Sequence, residues 1–378
     1  MKILHCIVGL DIGGAELMLK RLLEINLVDP QHQHIVASLT DIGSIGTQLQ
    51  FKNVEVYSLG MVSVLNVPMV VWRMVLLLQA TKPDIVQTWM YHADLLGGLA
   101  AKFAGYRHVI WGVRATDVRL CSRSTRIIRW LCARFSSWLP SVIVCAAEAS
   151  KRTHIAIGYE SKKMVVVPNG YDFYWLQATK EERSTLREQV FIHQNEVVVG
   201  CLGRFHEDKD QYNFVVAAGL LALRFPQLKF LMVGRDLTWA NSSLSDWIIQ
   251  TGFMERFILL GERNDVPQCL AAMDIFCLHS RTEGFPNALA EAMALGLPCV
   301  TTDVGDAAML LGGTGVVVPK EDSVALADGV KQLLTLSPEA RITCGLKTKA
   351  RVVAEFSMDR ARERFEEIYL QVLNEKVM

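Results

Sequence analysis

Short apolar runs rich in Val and Ile alternate along this chain with longer segments in which apolar residues recur every three or four positions. In the first half the runs fall at 3–8, 35–39, 54–59, 84–89, 109–113 and 142–146. Runs that are apolar throughout, not on alternate positions, suit strands buried on both faces, and their alternation with helical segments predicts a parallel sheet covered by helices on each side. A further run at 165–167 leads into the turn Pro168-Asn169-Gly170, and the charged stretch 179–188 reads as a hinge and linker. A second series follows at 197–202, 229–233, 257–260, 275–278, 299–302 and 316–318. Amphipathic helices are expected at 338–355 and 358–373, the last one crossing back onto the first half.

The pattern therefore predicts an α/β protein of two Rossmann-like, doubly wound domains facing across a cleft. The expected boundaries are 1–175, 176–355 and a returning helix within 356–378. A length of 378 residues fits two cores better than one. The segment 67–80 is the most lipid-like, but Pro68 and Arg73 interrupt it and it falls short of the ~20 residues that span a bilayer, so it reads as a core-facing helix.

Charge narrows the function classes. Lys+Arg and Asp+Glu are both 39, so there is no global basic field of the kind that nucleic-acid binding uses. Nine cysteines are scattered with no C-x-x-C pair, several inside apolar runs, which reads as buried thiols in a reducing compartment. The N-terminus runs straight into an expected strand, without the apolar segment and cleavage site of a signal peptide. The expected location is cytoplasmic.

The most informative segment runs from Ser280 through Arg281-Thr282-Glu283-Gly284-Phe285-Pro286-Asn287 into an Ala-rich helix that ends at Gly296 and Pro298. The unpaired N–H groups at that helix start form an anion site suited to a diphosphate. Glu283 before the helix and Glu291 inside it are acceptors only, so they suit sugar and ribose hydroxyls. The bland alternative is a helix-terminal charge and an exposed helix residue. A second segment, Gly203-Arg204-Phe205-His206-Glu207-Asp208-Lys209-Asp210, follows an expected strand and supplies two cations, Arg204 and Lys209.

Together these segments resemble the signature of glycosyltransferase family 4, whose members have the GT-B fold and retain anomeric configuration. The resemblance implies that Glu283 contacts the transferred sugar and Glu291 the ribose, with Gly284, Phe285, Pro286 and Asn287 shaping the donor site. It assigns the donor diphosphate to Arg204 and Lys209, and implies no cofactor and no metal. Two fixed positive charges and a helix N-terminus can stabilise a departing nucleoside diphosphate on their own. Asp208-Lys209-Asp210 is also an Asp-x-Asp, a metal motif of another glycosyltransferase fold, although the intervening lysine opposes a divalent cation.

Near the N-terminus, Gly13-Gly14-Ala15-Glu16 resembles the family's loop for donor phosphate and acceptor, or is simply a strand-to-helix turn. It is not G-x-G-x-x-G, which argues against a NAD-dependent oxidoreductase. His92 follows another strand end, where it can bond the donor sugar or merely cap a helix. Asn169-Gly170-Tyr171-Asp172 resembles the family's turn at the domain junction.

Residues 107–134 hold seven arginines against one acid, Asp117. Arg119, Arg123, Arg126, Trp130 and Arg134 fall on one helical stripe with an apolar flank of Leu120, Ile127, Leu131, Phe135 and Trp138. This reads either as a helix for the inner face of the cytoplasmic membrane or as a solvated basic face. The resulting expectation is a sugar-nucleotide donor, with a UDP-sugar as the first choice, and a saccharide or polyprenyl-linked acceptor in bacterial polysaccharide assembly. A sugar-nucleotide epimerase or phosphorylase of the same fold, or a silent scaffold subunit, are the competing readings.

Overall fold

The computed structural model describes residues 1–28, 31–114, 123–173 and 176–374. It divides into two compact units, residues 1–171 with 358–378, and residues 172–357.

The first unit is built on strands β1 (Lys2–Ile7), β2 (Gln33–Ser38), β3 (Glu55–Ser58), β4 (Ile85–Trp89), β5 (Val109–Val113), β6 (Val142–Cys145) and β7 (Met164–Val166), with helices α1 (Gly14–Val28), α2 (Gly43–Phe51), α3 (Val67–Thr81), α4 (Tyr91–Phe103), α5 (Arg123–Phe135) and α6 (Glu148–Ala156). Its sheet is parallel in the order β3-β2-β1-β4-β5-β6-β7. Successive strand residues serve opposite faces. Leu4, Cys6, Ile35 and Val86 pack beneath α3, α4 and α5, whereas Ile3, Ile7, Val36 and Ile85 pack against α1 and α2. The central strands are therefore buried on both sides, as in β4 and β5, where every residue is buried, whereas in the edge strand β3 only Val56 is.

The second unit carries α7 (Lys180–Gln189), β8 (Val197–Leu202), α8 (Gln211–Ala222), β9 (Leu228–Val233), α9 (Ser242–Gln250), β10 (Phe257–Gly261), α10 (Val266–Ala271), β11 (Ile275–Leu278), α11 (Asn287–Ala294), β12 (Cys299–Thr302), α12 (Ala307–Leu311), β13 (Val316–Val318), α13 (Ser323–Leu334) and α14 (Pro338–Phe356). Its parallel sheet has the order β10-β9-β8-β11-β12-β13. The last helix, α15 (Met358–Asn374), belongs to the first unit, where Phe365, Tyr369 and Val372 are buried among residues of α1. The Tyr369 hydroxyl donates to Gln87 Oε1 of β4.

The stretch 179–188, expected as hinge and linker, is instead helix α7. A capping box opens it: Thr179 Oγ1 accepts from the Glu182 N–H at 3.1 Å, and Glu182 Oε2 accepts from the Thr179 N–H at 2.7 Å. Its two arginines are engaged. Arg183 and Arg187, one turn apart, each donate to Asp274 at 2.7 Å, and Arg187 is 1% exposed. The segment 67–80, expected as a core-facing helix, is α3: Val70, Met74 and Leu78 face the core, while Met69, Trp72 and Leu76 stand in solvent.

Every described cysteine is a free thiol, and all but Cys344 are buried. Burial pushes the Cys6 and Cys145 thiols up to about 12.

Candidate functional site

Each sheet reverses its winding once, between β1 and β4 in the first unit and between β8 and β11 in the second. At such a switch point the loops leaving the two strands' carboxyl ends diverge, and ligands of open α/β sheets collect there. The sequence-predicted residues gather at both places.

In the second unit the loop after β8 carries Arg204 and Lys209, and the loop after β11 carries Ser280 and Glu283. Lys209 Nζ donates to Glu283 Oε1 at 2.5 Å, and Ser280 Oγ donates to the same oxygen at 2.7 Å. The Glu283 side chain is 10% exposed. A backbone bond joins the loops as well, the Arg281 N–H donating to Asp208 O at 2.8 Å, and within the first loop the Gln211 side-chain Nε2 donates to Arg204 O at 2.8 Å. Asp210 takes a left-handed conformation (φ 52°), with its carbonyl accepting from His279 Nδ1 at 3.1 Å and its carboxylate 3.1 Å from Arg281. Burial pushes the His279 imidazole down to about 4, so it serves as a neutral donor.

Two glycines let these loops approach. A Cβ at Gly305 (φ 55°) would sit 2.4 Å from Glu283 O and 2.5 Å from Gly284 O, and one at Gly234 (φ 148°) would run into Gly203 O. The Asp306 N–H donates to Gly284 O at 2.9 Å, and Thr302 Oγ1 to Ser280 O at 2.8 Å. The turn bearing Glu283 is thus held from beneath by β12 and the loop that follows it.

Helix α11 then begins at Asn287, with Phe285 and Pro286 buried, Gly284 and Glu291 half-buried and Asn287 exposed. Pro286 stands at its N-cap position without a side-chain cap, leaving the first-turn N–H groups to other partners. Arg204 is exposed, and among the described residues its guanidinium has no ion-pair partner. Asp208 lies against His206, while Asp210 is turned onto Arg281, so the two carboxylates of the Asp-x-Asp serve separate partners. Among the described residues no three His, Cys, Asp or Glu side chains group to hold a metal ion.

In the first unit Gly13 and Gly14 lead into α1, with Gly14 exposed and open space where its Cβ would stand. His92 lies in the first turn of α4, half-buried, and burial lowers its pKa below the ordinary value. Met90, joining β4 to α4, adopts φ 74° and ψ 155°, a region that side chains other than glycine rarely enter. Its N–H donates to Gly112 O at 2.8 Å, one of the contacts that hold it there. Nothing in the sequence marked Met90, because a strained φ on an ordinary residue leaves no compositional trace.

Asp94 is structural: fully buried, it accepts from Thr88 Oγ1 at 2.6 Å and from the Gly112 N–H at 3.2 Å, tying α4 to β4 and β5. Arg114, counted with the basic stretch, instead lies inward, 4.8 Å over the Trp89 ring, with Nη1 donating to Asn169 Oδ1 at 3.0 Å. Arg126 is exposed on α5, while Arg119, Asp117 and the Arg123 side chain lie outside the described residues. Ile127 and Trp138, read as part of an apolar flank, are exposed, whereas Leu131 and Phe135 pack on the core.

Residues 12–174 match the model described as Glycosyltransferase Family 4, and residues 196–336 the one described as Glycosyl transferases group 1. Among curated relatives, an Escherichia coli UDP-Gal:alpha-D-GlcNAc-diphosphoundecaprenol alpha-1,3-galactosyltransferase is 30% identical over 60% of this chain, and the chain spans 60% of that relative's length. The Staphylococcus aureus capsular polysaccharide biosynthesis glycosyltransferase CapM is 25% identical, with 80% of each chain covered. Among solved structures, Anabaena Alr3699/HepE in complex with UDP superposes with a TM-score of 0.82 at 23% identity, covering 98% of this chain and 100% of that one. That likeness shows the fold, which is GT-B.

Proposed function

Because this chain belongs to glycosyltransferase family 4, we propose that it moves a hexose from a UDP-sugar to a polyprenyl-diphosphate-linked saccharide during assembly of a bacterial surface polysaccharide, with anomeric configuration retained. The observation that carries this reading is the Lys209–Glu283–Ser280 cluster at the β8/β11 switch point, just ahead of the start of α11, with Arg204 on the same loop as Lys209. This reading takes Arg204, Lys209 and the helix N-terminus as the diphosphate site and Glu283 and Glu291 as hydroxyl acceptors. The choice of UDP and of a lipid-linked acceptor is supported by the substrates named for the E. coli relative and by the UDP-glucose complex of HepE.

In the proposed reaction the bond from the anomeric carbon to the β-phosphate oxygen breaks, and a bond to the acceptor oxygen forms on the same face. The acceptor's proton passes to the departing phosphate, so no protein base is assigned. Arg204 and Lys209 stabilise the charge that develops on the diphosphate. Glu283 accepts from hydroxyls of the transferred sugar and Glu291 from the ribose. His92, neutral near pH 7, bonds the sugar without adding charge to the site. Gly13 and Gly14, without side chains, let the backbone approach phosphate or acceptor. The reaction is assigned to the cytoplasm.

Calorimetric titration with UDP, GDP, ADP and NAD tests the donor class, followed by transfer assays with UDP-glucose, UDP-galactose and a synthetic polyprenyl-diphosphate sugar. Binding of UDP alone, with label appearing in the lipid product, is the expected result. Preference for NAD, or conversion of the sugar nucleotide without acceptor, overturns it in favour of an oxidoreductase or an epimerase.

A further inference from the structure

Helices α3, α4 and α5 cover one face of the first sheet, with α4 packed against both neighbours. The outward side of this layer is apolar. On α3, Met69, Trp72 and Leu76 recur at helical spacing opposite the buried Val70, Met74 and Leu78, and Trp72 is 61% exposed. The turn before α3 adds Val64 and Leu65, the latter 93% exposed. On α4, Leu96 and Leu99 are half-buried and Phe103 is exposed; on α5, Ile127 and Trp130 stand out, with Trp138 just beyond. A surface patch of this extent on one layer marks an interaction site.

Charge selects the occupant. The three helices contain one carboxylate, Asp94, and it is fully buried. The cations are Arg73, Lys102 and the α5 arginines, among which Arg126 and Arg134 are exposed. Lys102 Nζ lies 5.9 Å from the Trp138 ring centroid, an indole–ammonium pairing suited to a water–lipid boundary. A partner protein would face this apolar, cationic layer equally well by its apolar side, but the complete lack of exposed acid is what an anionic bilayer surface requires.

We infer that the outward layer of α3, α4 and α5 docks on the surface of an anionic lipid bilayer, with Leu65, Trp72, Leu76 and Trp130 entering the headgroup–acyl boundary. The segment Val64–Thr81 is long and apolar enough to cross a membrane by length and composition. It lies along the bilayer instead, because its inner stripe is built into the core and Arg73 Nη1 donates to Leu59 O at 2.9 Å. The sequence singled out the basic stripe of α5; the structure adds α3, so that the surface has an apolar part as well as charge. The inference stands apart from the transfer reaction, since lipid binding is read without activity.

The test is flotation of the full chain with vesicles of phosphatidylcholine, with or without an equal part of phosphatidylglycerol, at physiological salt. The protein is expected to float with the anionic vesicles. Changing Trp72→Ser, Leu76→Ser and Trp130→Ser together should lower partition at least about tenfold, and Arg126→Glu with Arg134→Glu at least about twenty-five-fold on anionic vesicles, given that each surface cation contributes about fivefold. As a check that needs no variant to fold, brominated lipid should quench the wild-type tryptophan fluorescence. Absence of flotation, equal flotation of the triple variant, or no quenching overturns the inference. So does a dimer that the triple variant dissolves while the wild type ignores vesicles, which would assign the surface to a second copy.

Discussion

Lys209 Nζ lies 2.5 Å from Glu283 Oε1, although the two residues stand 74 positions apart in the chain. The pair joins the loops leaving β8 and β11, and it is partly shielded from water. In the proposed reaction the lysine turns toward the diphosphate when the donor enters, leaving the carboxylate to accept from sugar hydroxyls.

Replacing Glu283 by Ala removes that acceptor and the lysine's partner. Transfer is expected to fall about a hundredfold or more, the scale of losing one preorganised polar group in a site, while UDP binding persists. Thermal unfolding and calorimetry on the same sample separate this from misfolding. Full transfer activity in the variant would remove the carboxylate from the centre of the proposal.

Arg204 has no ion-pair partner to lose among the described residues, so Arg204→Ala isolates its effect on ligand. UDP should bind about tenfold to a hundredfold more weakly, from a charge-assisted contact of roughly 1.5–3 kcal/mol, and uridine about as before. Equal losses for the two ligands would place Arg204 away from the phosphates.

Burial pushes the Asp94 carboxyl up to about 7 despite the bonds from Thr88 and Gly112. A carboxyl with a raised folded pKa binds more protons in the native than in the unfolded state between its ordinary 3.8 and about 7, so its contribution to stability falls as pH rises through that window. In Asp94→Asn the slope disappears. The stability of the variant relative to wild type should therefore climb from pH 4 to pH 8 by up to about 4 kcal/mol. A pH-independent difference between the two urea unfolding curves would contradict the shift.

Asp274 accepts from Arg183, Arg187 and the Val198 N–H, each at 2.7–2.8 Å. Asp274→Ala leaves the buried Arg187 guanidinium without its counter-charge, and a loss of about 3 kcal/mol in unfolding free energy is expected. A change within about 0.5 kcal/mol, the range of ordinary surface substitutions, would show that the arginines find other acceptors.

The sequence by itself determined the strands, since continuous Val- and Ile-rich runs between amphipathic segments have few structures other than a covered parallel sheet. It also singled out Arg204, Lys209, Glu283 and Glu291: turn and helix-start residues put the segments that carry them after strand ends, and the resemblance to glycosyltransferase family 4 implied their roles. What it misjudged depended on partners distant in the chain. The charged stretch 179–188 read as a hinge and linker, but it is a helix whose two arginines are both taken by Asp274. Helix α3 was legible as core-facing, but its exposed apolar side was not, because apolar residues on its two sides are alike in sequence and only packing decides which of them meets the sheet. Strand order, with its switch points at β1/β4 and β8/β11, is likewise a tertiary choice: hydrogen bonds between strands are not written in either strand alone.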